Sequence, residues 1–198
     1  NGYLNISDSD ITNVNNVAGI EVNGGVGQSV NVNTVTVTDV NPDSKNVKAI
    51  DVDTSSVEAN ITGLTATDVD YGVDAGTGSN YDSSLTVSES TFTRVGTAGV
   101  LFDINANDVD VDVSDNEFIN GTTGLQVDGF DDTDTRYNVN FNTFEENNNG
   151  VIVDDTSASS GAILNVTFND FEDNANNALY TSNGVNNGVV NANYSWWD

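Results

Sequence analysis

The sequence has no cysteine, no histidine and no methionine, a single proline, and only four lysines and arginines against 31 aspartates and glutamates. Each shortage removes a class of chemistry. Without cysteine there is no disulfide. Without cysteine and histidine there is no zinc site of the usual kind and no Ser-His-Asp or Cys-His nucleophile. Four cations cannot build the basic face that neutralises phosphates, so nucleic acid is excluded as a partner. The formal net charge of -27 would be repelled by an anionic membrane surface. No apolar run reaches the roughly 18 residues that a membrane-spanning helix needs, and no leader-like segment opens the chain. For metals only oxygen ligands remain, which suit Ca²⁺ or Mg²⁺.

What is present points to a folded, turn-rich β protein. The hydrophobic fraction is 36%, and the abundant residues are Val and Thr, which favour strands, with Asn, Asp and Gly, which favour turns. The length of 198 residues suits one domain. The chain opens at Asn1 without an initiator methionine, so the expectation is a processed chain or part of a longer one.

A repeat organises the whole sequence. Each unit has a short alternating strand, a polar turn, one large apolar anchor, then a small residue leading a second strand. The anchors are Ile11, Val37, Ala66, Phe92, Phe118, Phe144, Phe171 and Trp197, separated by 26, 29, 26, 26, 26, 27 and 26 residues. The small residues are Gly19, Ala49, Gly72, Gly99, Gly124, Gly150 and Ala178. No unit carries an amphipathic helical pattern, so helical and leucine-rich solenoids are excluded. Stacking equivalent strands produces long parallel sheets, with eight levels spanning roughly 35 Å. The expected fold is all-β: a right-handed, single-stranded parallel β-helix of about eight rungs of about 26 residues, over residues 1–198.

Alternation assigns the columns. Five residues before each anchor stand Ile6, Val32, Ile61, Val87, Val113, Val139, Val166 and Ala192, facing inward. Six before it stand Asn5, Asn31, Asn60, Thr86, Asp112, Asn138, Asn165 and Asn191, facing outward, where amides in register can form a ladder. Two before it, Ser9, Ser90, Asn116, Asn142, Asn169 and Ser195 sit at a turn and can satisfy backbone groups. The anchors Phe92, Phe118, Phe144 and Phe171 should form a continuous aromatic stack.

The units Val113-Ser114-Asp115-Asn116-Glu117-Phe118 and Val139-Asn140-Phe141-Asn142-Thr143-Phe144, each followed by Gly and a second strand, resemble right-handed parallel β-helix repeats of the pectate-lyase-like superfamily. The ending Asn193-Tyr194-Ser195-Trp196-Trp197-Asp198 resembles the Asn-Tyr-Trp-Gly closing segment of many surface members, with Ser and Trp inserted and Asp in place of Gly. The acidic coat is that of a protein standing in high salt, as in a halophilic archaeon or its virus, because salt screens the self-repulsion. The resemblance fixes the fold and leaves function open, since lyases, hydrolases, adhesins and virus tail spikes share it.

Candidate sites are few. Lyases of that superfamily use Asp-bound Ca²⁺ with a Lys or Arg base, and this chain offers only Lys45, Lys48, Arg94 and Arg136. Its hydrolases pair carboxylates with a histidine, absent here. The pairs Asp131-Asp132 and Asp154-Asp155 read as solvated acidic loops. For Ca²⁺, the best cluster is Asp128, Asp131, Asp132 and Asp134, with oxygen donors from the preceding rung completing the shell. Five Asn-x-Ser/Thr sequons, at Asn5, Asn60, Asn120, Asn165 and Asn193, are glycosylation candidates in an exported protein. The favoured function is a non-catalytic structural or adhesive module, extracellular or on a cell or virion surface. Other domains or subunits would cap its open ends. The alternative is a carbohydrate-binding or carbohydrate-cleaving β-helix such as a tail-spike domain. Its candidate sugar-facing aromatics are Tyr71, Tyr81, Phe130, Tyr137 and Tyr180.

Overall fold

The computed structural model describes residues 3–14, 18–24, 28–39, 46–54, 57–78, 83–105, 109–128, 136–154, 163–181 and 189–197. Every regular element among them is a strand, and every pairing is parallel. No helix is long and apolar enough to cross a membrane among these residues. The chain winds as a solenoid with two sheets.

The first sheet starts with three long strands, Tyr3–Thr12, Gln28–Thr38 and Val57–Thr67. From the fourth level the same path is split in two. These levels are Ser83–Ser88 with Thr91–Thr93, Val109–Ser114 with Glu117–Ile119, Arg136–Asn140 with Thr143–Glu145, Ile163–Thr167 with Asp170–Glu172, and Val189–Asn191 with Trp196–Trp197. The second sheet stacks seven strands: Ala18–Gly24, Lys48–Thr54, Tyr71–Gly78, Ala98–Asn105, Thr123–Asp128, Asn149–Asp154 and Asn177–Thr181. Seven levels in this sheet make six turns between the first and the last, slightly fewer than the eight rungs expected, because the final level lacks a described second strand.

The register is the one that the repeat predicts. Ile11, Val37, Ala66, Phe92, Phe118, Phe144, Phe171 and Trp197 are successive partners, as are Ile6, Val32, Ile61, Val87, Val113, Val139 and Val166. Phe92, Phe118, Phe144, Phe171 and Trp197 stack with ring centroids 4.6 to 4.9 Å apart and nearly parallel planes. The small residue before the second strand makes room for this stack. A Cβ on Gly99 would lie 2.5 Å from Phe118 Cδ1, and one on Gly150 would lie 2.7 Å from Phe171 Cδ1. The ring of each level therefore lies on the bare backbone of the level before.

Side-chain ladders hold the turns. Asn116, Asn142 and Asn169 are buried. Asn116 Nδ2 donates to Val87 O at 2.9 Å and to Asn142 Oδ1 at 2.9 Å, and Asn142 Nδ2 donates to Val113 O at 2.8 Å and to Asn169 Oδ1 at 3.0 Å. The Oδ1 atoms of Asn116, Asn142 and Asn169 accept the backbone amides of the preceding level, Ser90 N at 2.9 Å, Asn116 N at 3.0 Å and Asn142 N at 2.9 Å. These amides serve the side-chain ladder at the corner where the strands split. A second ladder, not foreseen from the sequence, runs three residues after the anchor. Asn147 Nδ2 donates to Phe118 O and Asn174 Nδ2 to Phe144 O, both at 2.8 Å. Each buried amide is satisfied, which burial requires.

The bend between the two strand segments comes from one left-handed residue per level. Asp8, Thr34, Gly63, Glu89, Asp115, Phe141, Phe168 and Tyr194, three residues before each anchor, all have φ between 48° and 66°. Glycine and aspartate take this region readily; Thr34, Glu89 and the three aromatics are uncommon in it.

Candidate functional site

Asp128 pairs in register with Asp103 and Asp154, so three carboxylates stack on one outward column of the second sheet. Burial raises the Asp128 carboxyl above its usual range, and Asp154, Asp103 and Asp74 add to the rise against the Gln126 amide, which donates at 3.0 Å. Asp131, Asp132 and Asp134, the other members of the expected Ca²⁺ cluster, lie outside the described residues, as do Asp155 and Lys45. Among the described residues no group of three or more acidic side chains is arranged to hold a metal ion.

Lys48 is better placed than the sequence suggested. Its Nζ lies 3.0 Å from Asp51 Oδ2 and 2.7 Å from Asp74 Oδ2. Burial alone would lower its pKa, but the hydrogen bonds to Asp74 and Asp51 outweigh it and hold the ammonium above its ordinary value. A general base needs the opposite shift, so this geometry makes Lys48 a cation bridging two levels. Arg94 spans levels in the same way, with Nε and Nη2 on Asp68 Oδ1 and Oδ2 at 2.7 and 2.8 Å.

The sequons divide by geometry. Asn60 Nδ2 donates to Asn31 Oδ1 at 3.2 Å and Asn165 Nδ2 to Asn138 Oδ1 at 3.0 Å, so the nitrogen that would carry a glycan is already engaged in the outward ladder. Asn5, Asn120 and Asn193 are exposed, and Asn120 stands at a left-handed corner with φ 54°.

Of the aromatics proposed from the sequence, Tyr137 is core, tilted against Phe102 with centroids 6.1 Å apart. Tyr71 is half-buried, Tyr180 is exposed, and Tyr81 and Phe130 lie outside the described residues. The aromatics that do align are others. Phe141, Phe168 and Tyr194 occupy the left-handed corner column on successive levels, 60%, 51% and 81% exposed, stacked at 5.3 and 5.2 Å. They border a shallow groove whose other side is Thr143, Asp170 and Trp196 and whose floor is Asn142 and Asn169. Asp170, one of the lining residues, has its Oδ1 buried away from solvent without a hydrogen-bond partner. The signal was available in the sequence, since these residues share one offset from the anchor.

The rings are stacked on one another, so each covers much of its neighbour's face and turns its edge sideways to the groove. Among the described residues Tyr194 and Trp197 are the last rings of their two columns. Comparison with known proteins adds no relative: no family model matches the sequence, no curated protein matches it, and no solved structure matches it.

Proposed function

We propose that this chain is a non-catalytic structural or adhesive rod, carried on a cell or virion surface in high salt. The observation that carries the reading is the direction in which its polar side chains are spent. Asn116, Asn142, Asn147, Asn169 and Asn174 bond to equivalent levels above and below, and Lys48 and Arg94 bridge levels. They run along the axis instead of converging on a point where a reacting atom could sit. The net charge of -27 fits a rod whose carboxylates lie on outward columns and whose repulsion is screened by salt. Thermal melts in low and multi-molar NaCl test the habitat: the midpoint should rise with salt, and equal midpoints defeat that part of the reading. A release assay on acidic polysaccharides tests the rest, with cleavage as the defeating result.

A second reading has one specific observation behind it. The groove bounded by Phe141, Phe168 and Tyr194 on one side and Thr143, Asp170 and Trp196 on the other offers apolar ring edges beside polar side chains, which is chemistry for a sugar. A glycan array with the wild type and Phe168→Ala decides it, since a groove binder loses its signal in the variant.

A further inference from the structure

One patch of the outward surface lies outside the ladders, the groove and the ion pairs described above. On the first sheet the residues on either side of each inward anchor face out. At three successive levels both are threonine: Thr36 and Thr38 about Val37, Thr65 and Thr67 about Ala66, Thr91 and Thr93 about Phe92. They pair in register, Thr36 with Thr65 and Thr91 in one column, Thr38 with Thr67 and Thr93 in the other. Thr12, the partner of Thr38, extends the second column by one level. Asp10 and Glu117 bound the first column at its two ends. Thr65, at the centre, is exposed, and the threonines around it are half-buried.

Three properties set this patch apart. It carries no charge. In a chain with 31 acidic residues these six outward positions hold none, and the ion pair at its margin, Arg94 with Asp68, is neutralised within itself. It is also regular in two directions. The anchor rings report a level step of 4.8 to 4.9 Å, and two residues of strand separate the columns by about 6.6 Å. Successive rings are turned by only 8°, 4° and 8°. Strands of an ordinary sheet rotate by roughly 20–25° per step, so the rows here stay nearly parallel. Finally, the patch is stiff. Threonine is branched at Cβ and restricted at χ1, and the backbone beneath it is pinned by the buried Val37, Ala66 and Phe92.

We propose that this threonine face binds ice. Water in ice is itself a lattice. On a prism face its oxygens repeat as an oblong whose short side is close to one level step and whose long side is close to two residues of strand. Each threonine brings a methyl and a hydroxyl. The methyls restrict the orientation of the water over them, and the hydroxyls, each a donor and an acceptor, anchor it. The water layer on the patch therefore takes up positions that a crystal can extend. Carboxylates hold tight hydration shells of their own that no ice lattice accommodates, which gives the uncharged window its meaning. An uncharged occupant fits an uncharged face, and a periodic occupant fits a periodic one. Because the side chains are already ordered, contact costs little further entropy. The inference goes beyond the rod reading and stands without it.

Slow growth of ice on a cold probe tests the proposal, from a stirred salt solution in which circular dichroism shows the whole chain folded. Absorbance measures the protein in the melted ice and in the remaining liquid, with serum albumin as the reference for trapped brine. The wild type should be enriched in the ice severalfold over albumin, and seed crystals grown in its presence should be faceted instead of round. Thr65→Tyr places a ring at the centre of the array, at an exposed strand position that accepts it, and its retention should fall to the albumin level. Leu101→Tyr adds the same ring at the fourth level on the other sheet, and its retention should match the wild type. A wild type excluded from ice like albumin overturns the proposal. So does retention that survives in Thr65→Tyr, or an equal loss in Leu101→Tyr. None of these results touches the rod reading, which falls on polysaccharide cleavage.

Discussion

The levels up to residue 67 and those from residue 83 onward follow one path and fill it differently. In the first block the anchors are Ile11, Val37 and Ala66, and the turn column holds Ser9, Val35 and Leu64, of which Val37, Ala66, Val35 and Leu64 are fully buried. In the second the anchors are Phe92, Phe118, Phe144 and Phe171, closed by the exposed Trp197, and the turn column holds the buried Ser90, Asn116, Asn142 and Asn169, then Ser195. Strands run unbroken through the corner in the first block and split there in the second. The corner residue is left-handed in both. The path is therefore set by the corner and by inside-outside alternation, and the filling is a choice made column by column. What a column cannot do is change filling at one level alone, because every side chain is matched to the one above and below. The outward amide ladder shows the cost. It breaks at Thr86 and Asp112, and there Asp112 Oδ1 is buried without a partner.

Five substitutions probe this contrast, from the largest expected effect downward. Phe118→Ala should cost about 4 kcal/mol by cavity formation, since it also ends the stacking with Phe92 and Phe144, whereas alanine is native at the equivalent position 66. Urea unfolding measures it. Asn142→Leu puts at 142 the residue that is native at 64, yet strands Asn116 N and Val113 O. Each buried orphan costs about 1–3 kcal/mol, so a loss of about 3 kcal/mol is expected from the same titration. The reverse exchange, Ala66→Phe, should destabilise by about 2 kcal/mol through overpacking. By the offset that places Gly72 against Phe92, Ala49 faces the new ring, so Ala49→Gly should recover part of the loss in a double-mutant cycle. The smallest effect is electrostatic. The raised folded pKa of Asp128 means that its contribution to stability is full below its ordinary range and lost as pH rises through the folded value. Asp128→Asn should therefore raise the melting midpoint slightly at pH 7 and leave it unchanged in acid.

The fold was legible because the anchors recur at nearly constant spacing and the inward column stays Val and Ile; both survive as pairs in the sheets. The inner asparagine ladder was legible as turn chemistry. The ladder of Asn147 and Asn174 was not, because Val14, Val69, Val95 and Gly121 precede it in the same column and disguise it as core. The exposed ring column was missed for a similar reason. Asp8, Thr34, Gly63, Glu89 and Asp115 read as an ordinary polar corner until Phe141, and a corner with positive φ is the last place where a phenylalanine is expected. The partners of Lys48 were hidden by distance: Asp74 comes from the following level, and only the stacking brings it within reach.

The 26-residue step also acts as a ruler. Between Phe92, Phe118 and Phe144 every column advances by one whole period. Loss or duplication of one such period changes the length of the object by a single increment and leaves each remaining neighbour of the same kind as before. An insertion of any other size within a level displaces all columns at once. Such a chain is free to grow or shrink in quanta, and its reach can be reset by recombination without inventing a new contact.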